Sequence, residues 1–142
     1  MVDYLSGIFG SLAPQPVAAP QLPMWNWQGR SGAWYIHTIF PLTAQTFIEG
    51  ANYIMVQRLT DGTRKAIYIG QSENLRTRLP RHEKLMLAQL HGATELHIHL
   101  LATTDAERFR IETDIRNGHP APLNEQSTPL YSGLLAALAA KP

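Results

Sequence analysis

The segment from Ala66 to His82 (AIYIGQSENLRTRLPRH) carries the residues whose types and order best suit phosphate chemistry. An apolar run ends at Tyr68 and Gly70, and Arg78 and His82 follow shortly after. A guanidinium binds two phosphate oxygens at once through its planar fork, and a phenol or an imidazole can transfer a proton. Because Arg78 and His82 are four residues apart, one helix would place both of them on the same face.

Local sequence patterns predict the elements that must position these side chains. Strands are predicted from β-branched, aromatic or alternating residues at 32–40, 52–59, 64–70 and 94–102. Helices are predicted at 42–50, 72–90, 104–118 and 132–140. The dipeptide Asp61-Gly62 predicts a tight hairpin in which both central residues have positive φ. Tyr53 and Tyr68 are therefore expected on neighbouring antiparallel strands.

The order of these elements predicts an α+β domain. Its centre is expected to be a small three-stranded antiparallel sheet flanked by helices, with an extra N-terminal strand or arm. Residues 1–31 include four prolines between positions 10 and 23, so this segment is predicted to be a proline-rich arm or linker. Residues 32–142 are predicted to form the domain itself.

The composition excludes some classes of protein and site. The chain has 142 residues, no cysteine and a net charge of +1, so disulfides and thiolate metal sites are absent and strong non-specific nucleic-acid binding is not expected. The N-terminal sequence lacks the cationic start of a signal peptide. No apolar run approaches the roughly 18 residues that span a membrane. The expectation is a soluble, cytoplasmic protein with no membrane partner.

The segment YIGQSENLRTRL closely resembles the second half of the GIY-YIG nuclease signature, with Tyr68 to Gly70 as the YIG element. Arg78 stands at the family's catalytic-arginine position and His82 at a common accessory position. One strand earlier, NYI resembles a degenerate GIY element with Tyr53 as its tyrosine. Downstream, ETDIRNGHPAPLN resembles the family's helix with a metal-binding glutamate, here Glu112, followed by its P-x-N loop.

Two features depart from the family pattern. Ala51 and Asn52 replace the glycine and isoleucine of the GIY element, and Ala51 is expected to crowd a backbone that family members leave bare. Pro80 lies inside the predicted helix, where it lacks an amide hydrogen. If Pro80 begins a new helix, Arg78 and His82 need not share a face.

The resemblance implies a metal-dependent endonuclease. Glu112 would hold one Mg²⁺ or Mn²⁺ ion, and Arg78 would neutralise the phosphate oxygens. Tyr68 would take the proton of the attacking water, with its pKa lowered below about 10 by Arg78 and His82. Tyr53 would orient the water or the phosphate.

The remaining predicted residues support the site or bind the substrate. Gly70 removes a side chain beside Tyr68, and Asn124 is expected to fix its loop against the sheet. The substrate is expected to be nucleic acid, with DNA preferred. Four cationic residues are predicted to contact its backbone: Arg64, Lys65, Arg76 and Arg81. A protein partner of the N-terminal arm is also considered, and the oligomeric state is open.

Each single residue also has an ordinary structural interpretation. Both tyrosines could be strand residues that only pack, and Arg78 could be a solvated helix residue. Glu112 could form an ion pair with Arg108 or Arg116. His97 and His99 share one strand face, where a solvent-facing pair is preferred over a metal site because no third ligand is evident. At the level of function, the alternatives are an inactive GIY-YIG-fold binding or scaffold module and a toxin or mobile-element nuclease.

Overall fold

A five-stranded antiparallel sheet lies at the centre of the computed structural model, which describes residues 22–125. The strands are β1 (Met24–Gln28), β2 (Trp34–Pro41), β3 (Ala51–Arg58), β4 (Arg64–Ser72) and β5 (Glu95–His99). Their order across the sheet is β1-β2-β5-β3-β4, and all neighbours are antiparallel. The helices are α1 (Leu75–Arg78), α2 (Leu85–Leu90) and α3 (Asp105–Gly118), with 3₁₀ turns at Leu79–Arg81 and Pro122–Glu125.

The prediction of a small three-stranded sheet flanked by helices is wrong, although the α+β class is correct. Strand β3 pairs with β4 on one side and with β5 on the other, but β5 is an interior strand rather than an edge. Its other side pairs with β2, and β1 extends the sheet further. This pairing satisfies backbone groups that β5 would otherwise leave unpaired. β1 lies within residues 1–31, the segment predicted as an arm, whose first 21 residues lie outside the described residues.

Both faces of the sheet are covered, which explains why β3 is buried at six consecutive positions, 51–56. One face packs against α3 through a cluster that includes Trp27, Ile54 and Ile111. The other face packs against α1, α2 and the turn between them, through residues that include Tyr53 and Leu79. Tyr53 and Tyr68 lie on this second face, whereas Glu112 belongs to α3 on the first.

His97 and His99 do not face solvent as expected, because their side of the sheet is covered too. His97 is fully buried, and the indole N–H of Trp27 donates a 2.9 Å hydrogen bond to its Nδ1. The ring of His99 bonds the carbonyl of Ile36 at 2.7 Å. Within residues 22–125, no cluster of three or more His, Asp or Glu side chains has the arrangement of a metal site.

The predicted helix at 42–50 does not form. After a turn at Leu42–Thr43 the chain is irregular, and the carbonyls of Ile48 and Glu49 accept hydrogen bonds from the first amides of α1 at 3.0 and 2.8 Å. The hydroxyl of Thr46 also accepts a bond from the Ile48 amide, a local contact that competes with helix formation. This segment therefore serves as the N-terminal support of α1.

Other local predictions hold in part. The hairpin between β3 and β4 is confirmed, but only Gly62 has positive φ, at +87°, so the turn is not the mirror-image type. The helix predicted at 104–118 is confirmed as α3, with the Thr104 hydroxyl accepting from the Glu107 amide at 3.1 Å. The helix predicted at 132–140 lies outside the described residues. No helix within 22–125 combines the length and apolar content needed to cross a membrane.

Candidate active site

Five of the predicted site residues reach one place from different elements. Tyr53 comes from β3, Tyr68 from β4, Arg78 from the end of α1, His82 from the segment after the 3₁₀ turn, and Glu112 from α3. The ring centroids of Tyr53 and Tyr68 are 6.1 Å apart, and His82 lies edge-on to both rings, at 5.6 and 4.9 Å. Arg78 and Glu112 are close enough to change the pKa of both tyrosines. Tyr53, Tyr68 and His82 are therefore in direct contact, and the charges of Arg78 and Glu112 act on both tyrosines.

Gly70 makes room for the two tyrosine rings. It lies directly opposite Tyr53 in the strand register. A Cβ atom at this position would be 2.8 Å from Tyr53 Cζ and 2.9 Å from Tyr68 Cε2. Both distances are well inside the optimal separation of carbon atoms, about 3.5–4.0 Å. Any other residue here would push at least one ring away.

The break at Pro80 brings His82 to the tyrosines. The predicted helix 72–90 is divided into α1, a 3₁₀ turn with Pro80 in its first positions, and α2. His82 ends the turn in an extended conformation, with φ −72° and ψ 119°. Arg78 and His82 therefore do not share a helix face, yet both lie beside Tyr53 and Tyr68.

His82 is neutral at pH 7 and donates to Tyr53. Burial, assisted by the charge of Arg78, lowers the pKa of His82 to about 4. The backbone amide of Lys84 donates to Nδ1 at 3.0 Å, so the single proton of the neutral ring is on Nε2. Nε2 lies 2.6 Å from the Tyr53 hydroxyl and donates to its oxygen. The phenolic proton of Tyr53 must then point towards another acceptor.

The surroundings of the two tyrosines raise their pKa values above the usual 10. Burial raises the pKa of Tyr53, and the neighbouring Tyr68 raises it further. Burial and the Glu112 carboxylate raise the pKa of Tyr68, while Arg78 lowers it by a smaller amount. The expectation of a Tyr68 pKa below 10 is therefore wrong, because burial raises the pKa, Glu112 opposes Arg78, and His82 is uncharged. Within residues 22–125, the Tyr68 hydroxyl has no hydrogen-bond partner.

The carboxylate of Glu83 forms a bidentate ion pair with the guanidinium of Arg78. The Nη1 and Nη2 atoms of Arg78 donate to the two carboxylate oxygens of Glu83 at 2.8 and 3.0 Å. The side chains keep 35% and 60% of their surface exposed, so the pair can open without unpacking the core. Glu83 was not predicted as a site residue, since its spacing of five positions from Arg78 matches no helical pair. The chain bend at Pro80 creates the contact.

Glu112 is a half-buried carboxylate with a weak partner. Its oxygen lies 3.5 Å from Arg116, whereas Arg108 pairs with Asp105 instead. Burial raises the pKa of Glu112 more than Arg116 lowers it. A cation beside Glu112 would stabilise the buried negative charge of its carboxylate. One carboxylate, completed by water and phosphate oxygens, suits Mg²⁺, which keeps several waters when it binds proteins.

Asn124 holds its loop against the edge strand β4. Its Nδ2 donates to the carbonyl of Ile69 at 2.8 Å, and its Oδ1 accepts from the Ile69 amide at 2.7 Å. The side-chain amide thus makes the same pair of hydrogen bonds that the backbone of a neighbouring strand residue would make. It fixes the backbone between Tyr68 and Gly70, which is the supporting contact expected of it.

The four predicted nucleic-acid contacts divide into two groups. Arg64 is four residues along β4 from Tyr68, about 13 Å away, and it forms a bidentate pair with Glu95 at 2.7 and 3.2 Å. Lys65 follows it on the exposed surface. Arg76 and Arg81 are exposed on either side of Arg78, and neither forms an ion pair within residues 22–125.

Comparison with known proteins adds no relative to this description. The chain matches no family model, no curated protein and no solved structure. The resemblance to GIY-YIG nucleases therefore rests on the sequence motifs alone.

Proposed function

We propose that this protein is a metal-dependent endonuclease that hydrolyses phosphodiester bonds of nucleic acid, with DNA as the preferred substrate. One observation carries the proposal: two phenols, a guanidinium, an imidazole and a carboxylate converge from separate elements. Phosphodiester hydrolysis requires positive charge at the phosphoryl oxygens and a group that positions and deprotonates water. The five side chains include groups of each kind.

Arg78 is the phosphate ligand in this proposal. Its fork, now filled by Glu83, matches two non-bridging phosphate oxygens equally well. A substrate phosphate therefore replaces the Glu83 carboxylate rather than entering an open position. Glu112 would hold a divalent cation, which would supply further positive charge for the phosphate.

The tyrosines position the attacking water. His82 donates to the Tyr53 oxygen, which directs the Tyr53 proton towards the substrate or the water. The Tyr68 hydroxyl has no described partner and is available to the same water. Its raised pKa keeps it protonated at neutral pH, and the positive charge of a cation held by Glu112 would lower that pKa and favour the phenolate.

Cleavage of supercoiled plasmid and of single-stranded DNA, with Mg²⁺ or Mn²⁺ and with EDTA, tests the proposal. Tyr68→Phe removes one oxygen and should abolish metal-dependent cleavage with little loss of stability. Tyr35→Phe is the matched control, because Tyr35 lies on the opposite face and bonds Asp114 at 2.7 Å. Cleavage by the Tyr68→Phe protein at the wild-type rate would contradict the role of the phenol.

The metal role of Glu112 has a separate readout. Glu112→Gln keeps the size of the side chain and removes the charge that a hard cation requires. Calorimetry should show weaker Mn²⁺ binding by the variant than by the wild-type protein. Equal Mn²⁺ affinity would make Glu112 a structural partner of Arg116.

Two observations favour a second function, that of a nucleic-acid-binding or scaffold module without catalysis. The Arg78 fork is already occupied, and the Tyr68 pKa is raised rather than lowered. This second function predicts oligonucleotide binding without cleavage under any of the metal conditions above, so the same experiment separates the two.

A further inference from the structure

A groove lies beside the candidate site, on the far side of α1. It is bounded by the irregular segment 42–47 and by Arg76, Leu79, Pro80 and Leu85, and its volume is about 380 Å³. This volume lies within the range of small-molecule sites. The groove thus has a largely apolar floor and one cationic side chain at its rim.

Phe47 stands at this rim and is 78% exposed. The guanidinium of Arg76 lies over its ring, 5.6 Å from the centroid, a distance typical of a cation–π contact. Arg76 forms no ion pair within residues 22–125, so its charge is not neutralised by a carboxylate there. Arg76 covers part of the Phe47 ring, and the pair still offers a largely exposed aromatic ring beside a positive charge that no carboxylate within residues 22–125 neutralises.

The Phe47–Arg76 pair is connected to the candidate site through backbone hydrogen bonds. The amides of Leu75 and Arg76 in α1 donate to the carbonyls of Glu49 and Ile48, directly after Phe47. Arg76 and Arg78 are two residues apart on this helix, a rise of about 3 Å. Their side chains leave opposite faces of α1, so a strand that contacts both must cross the helix. The width of a helix with its side chains, about 10–12 Å, corresponds to about three nucleotides at about 3.4 Å each.

We propose that Phe47 and Arg76 form a subsite for single-stranded nucleic acid, in which Phe47 stacks one unpaired base and Arg76 contacts an adjoining phosphate. The inference rests on the proposed function and specifies its substrate: a strand with unpaired bases within a few nucleotides of the cleaved bond. An aromatic platform in a cationic groove is the common arrangement for binding single strands without sequence preference. A stacked base covers the exposed ring, and the phosphate uses the charge of Arg76, which an apolar peptide would leave unused.

Fluorescence anisotropy with a labelled oligo-dT of about 12 nucleotides, a length within known single-strand site sizes, tests the subsite. EDTA prevents cleavage, so the measurement does not depend on catalysis. Phe47→Ala should weaken binding roughly 5- to 100-fold, the effect of losing one stacked base. Phe47→Trp should retain binding. Phe109→Ala is the control, since Phe109 is 57% exposed on α3, and it should leave the affinity unchanged.

Two further readouts distinguish stacking from a general loss of structure. A 2-aminopurine base in the oligonucleotide should be quenched on binding to the wild-type protein and not to Phe47→Ala. Arg76→Gln should reduce the slope of log K against log salt by about 0.7, the value for one phosphate contact on a single strand.

Unchanged affinity and quenching in Phe47→Ala would overturn the subsite and assign the groove to another occupant, such as an apolar peptide. Failure of the wild-type protein to bind oligo-dT would overturn it as well. In either case, Tyr68-dependent plasmid cleavage would leave the proposed nuclease function standing.

Discussion

Exchange of Glu83 for glutamine should free Arg78 for phosphate. The carboxylate holds both outer nitrogens of the guanidinium, so a phosphate and Glu83 compete for the same fork. Contact with Arg78 lowers the pKa of Glu83 to about 2. Because both side chains are substantially exposed, however, solvent screens the pair, and its opening costs only about 0–1 kcal/mol. Glu83→Gln should therefore tighten oligonucleotide binding by up to about fivefold.

The same substitution also changes the electrostatics at Tyr68. The Glu83 charge raises the pKa of Tyr68, so its removal lowers that pKa. If Tyr68 accepts the proton of the attacking water, the rise of the cleavage rate with pH should move to lower pH in the variant. The rate of plasmid cleavage by the wild-type and Glu83→Gln proteins, measured between about pH 6 and about pH 10 at saturating Mg²⁺, tests this shift.

Glu73→Gln is the matched control for Glu83→Gln. Glu73 is exposed just before α1 and forms no ion pair within residues 22–125, so its replacement removes the same charge without freeing Arg78. The affinity gain of Glu83→Gln should also disappear when Arg78 is replaced by glutamine. If Glu83→Gln and Glu73→Gln bind the oligonucleotide equally, competition at Arg78 is refuted.

Two predictions concern stability. Gly70→Ala places a Cβ against both tyrosine rings and should lower the free energy of unfolding by about 1–3 kcal/mol, measured by urea denaturation; an unchanged value would mean that the rings move aside easily. Burial lowers the pKa of His37 to about 3, and that of His82 and His97 to about 4. Below about pH 6.5 these histidines bind protons in the unfolded chain but not in the folded protein. As the pH decreases, the free energy of unfolding should therefore decrease by up to about 1.4 kcal/mol per pH unit for each histidine. Urea titrations between about pH 7 and about pH 5 measure this effect above the pH range in which carboxylates become protonated. His97→Gln should reduce the slope of the free energy of unfolding against pH.

Sequence alone determined the elements whose signals are local. The β3–β4 hairpin follows from two apolar runs around Gly62, and α3 follows from its Thr104 cap and its end at Gly118. The sequence also selected Tyr53 and Tyr68 for neighbouring strands, where the structure has them. Their catalytic roles remain predictions, since roles depend on contacts that no local pattern encodes.

Other features were decided only by the tertiary structure. The five-stranded order depends on β2 pairing with β5 across more than 50 residues, and the burial of His97 depends on Trp27, which is 70 positions away. An alternating strand pattern cannot indicate that both faces of a sheet will be covered.

The protonation of the site was likewise set by packing. His82 is neutral because it is buried against Tyr53, 29 positions earlier in the chain, and Arg78 meets Glu83 because the chain bends at Pro80. The pKa of a side chain depends on its burial and on the charges around it. Those surroundings exist only when distant segments have packed, so the sequence could single out the candidate side chains but not their charge states.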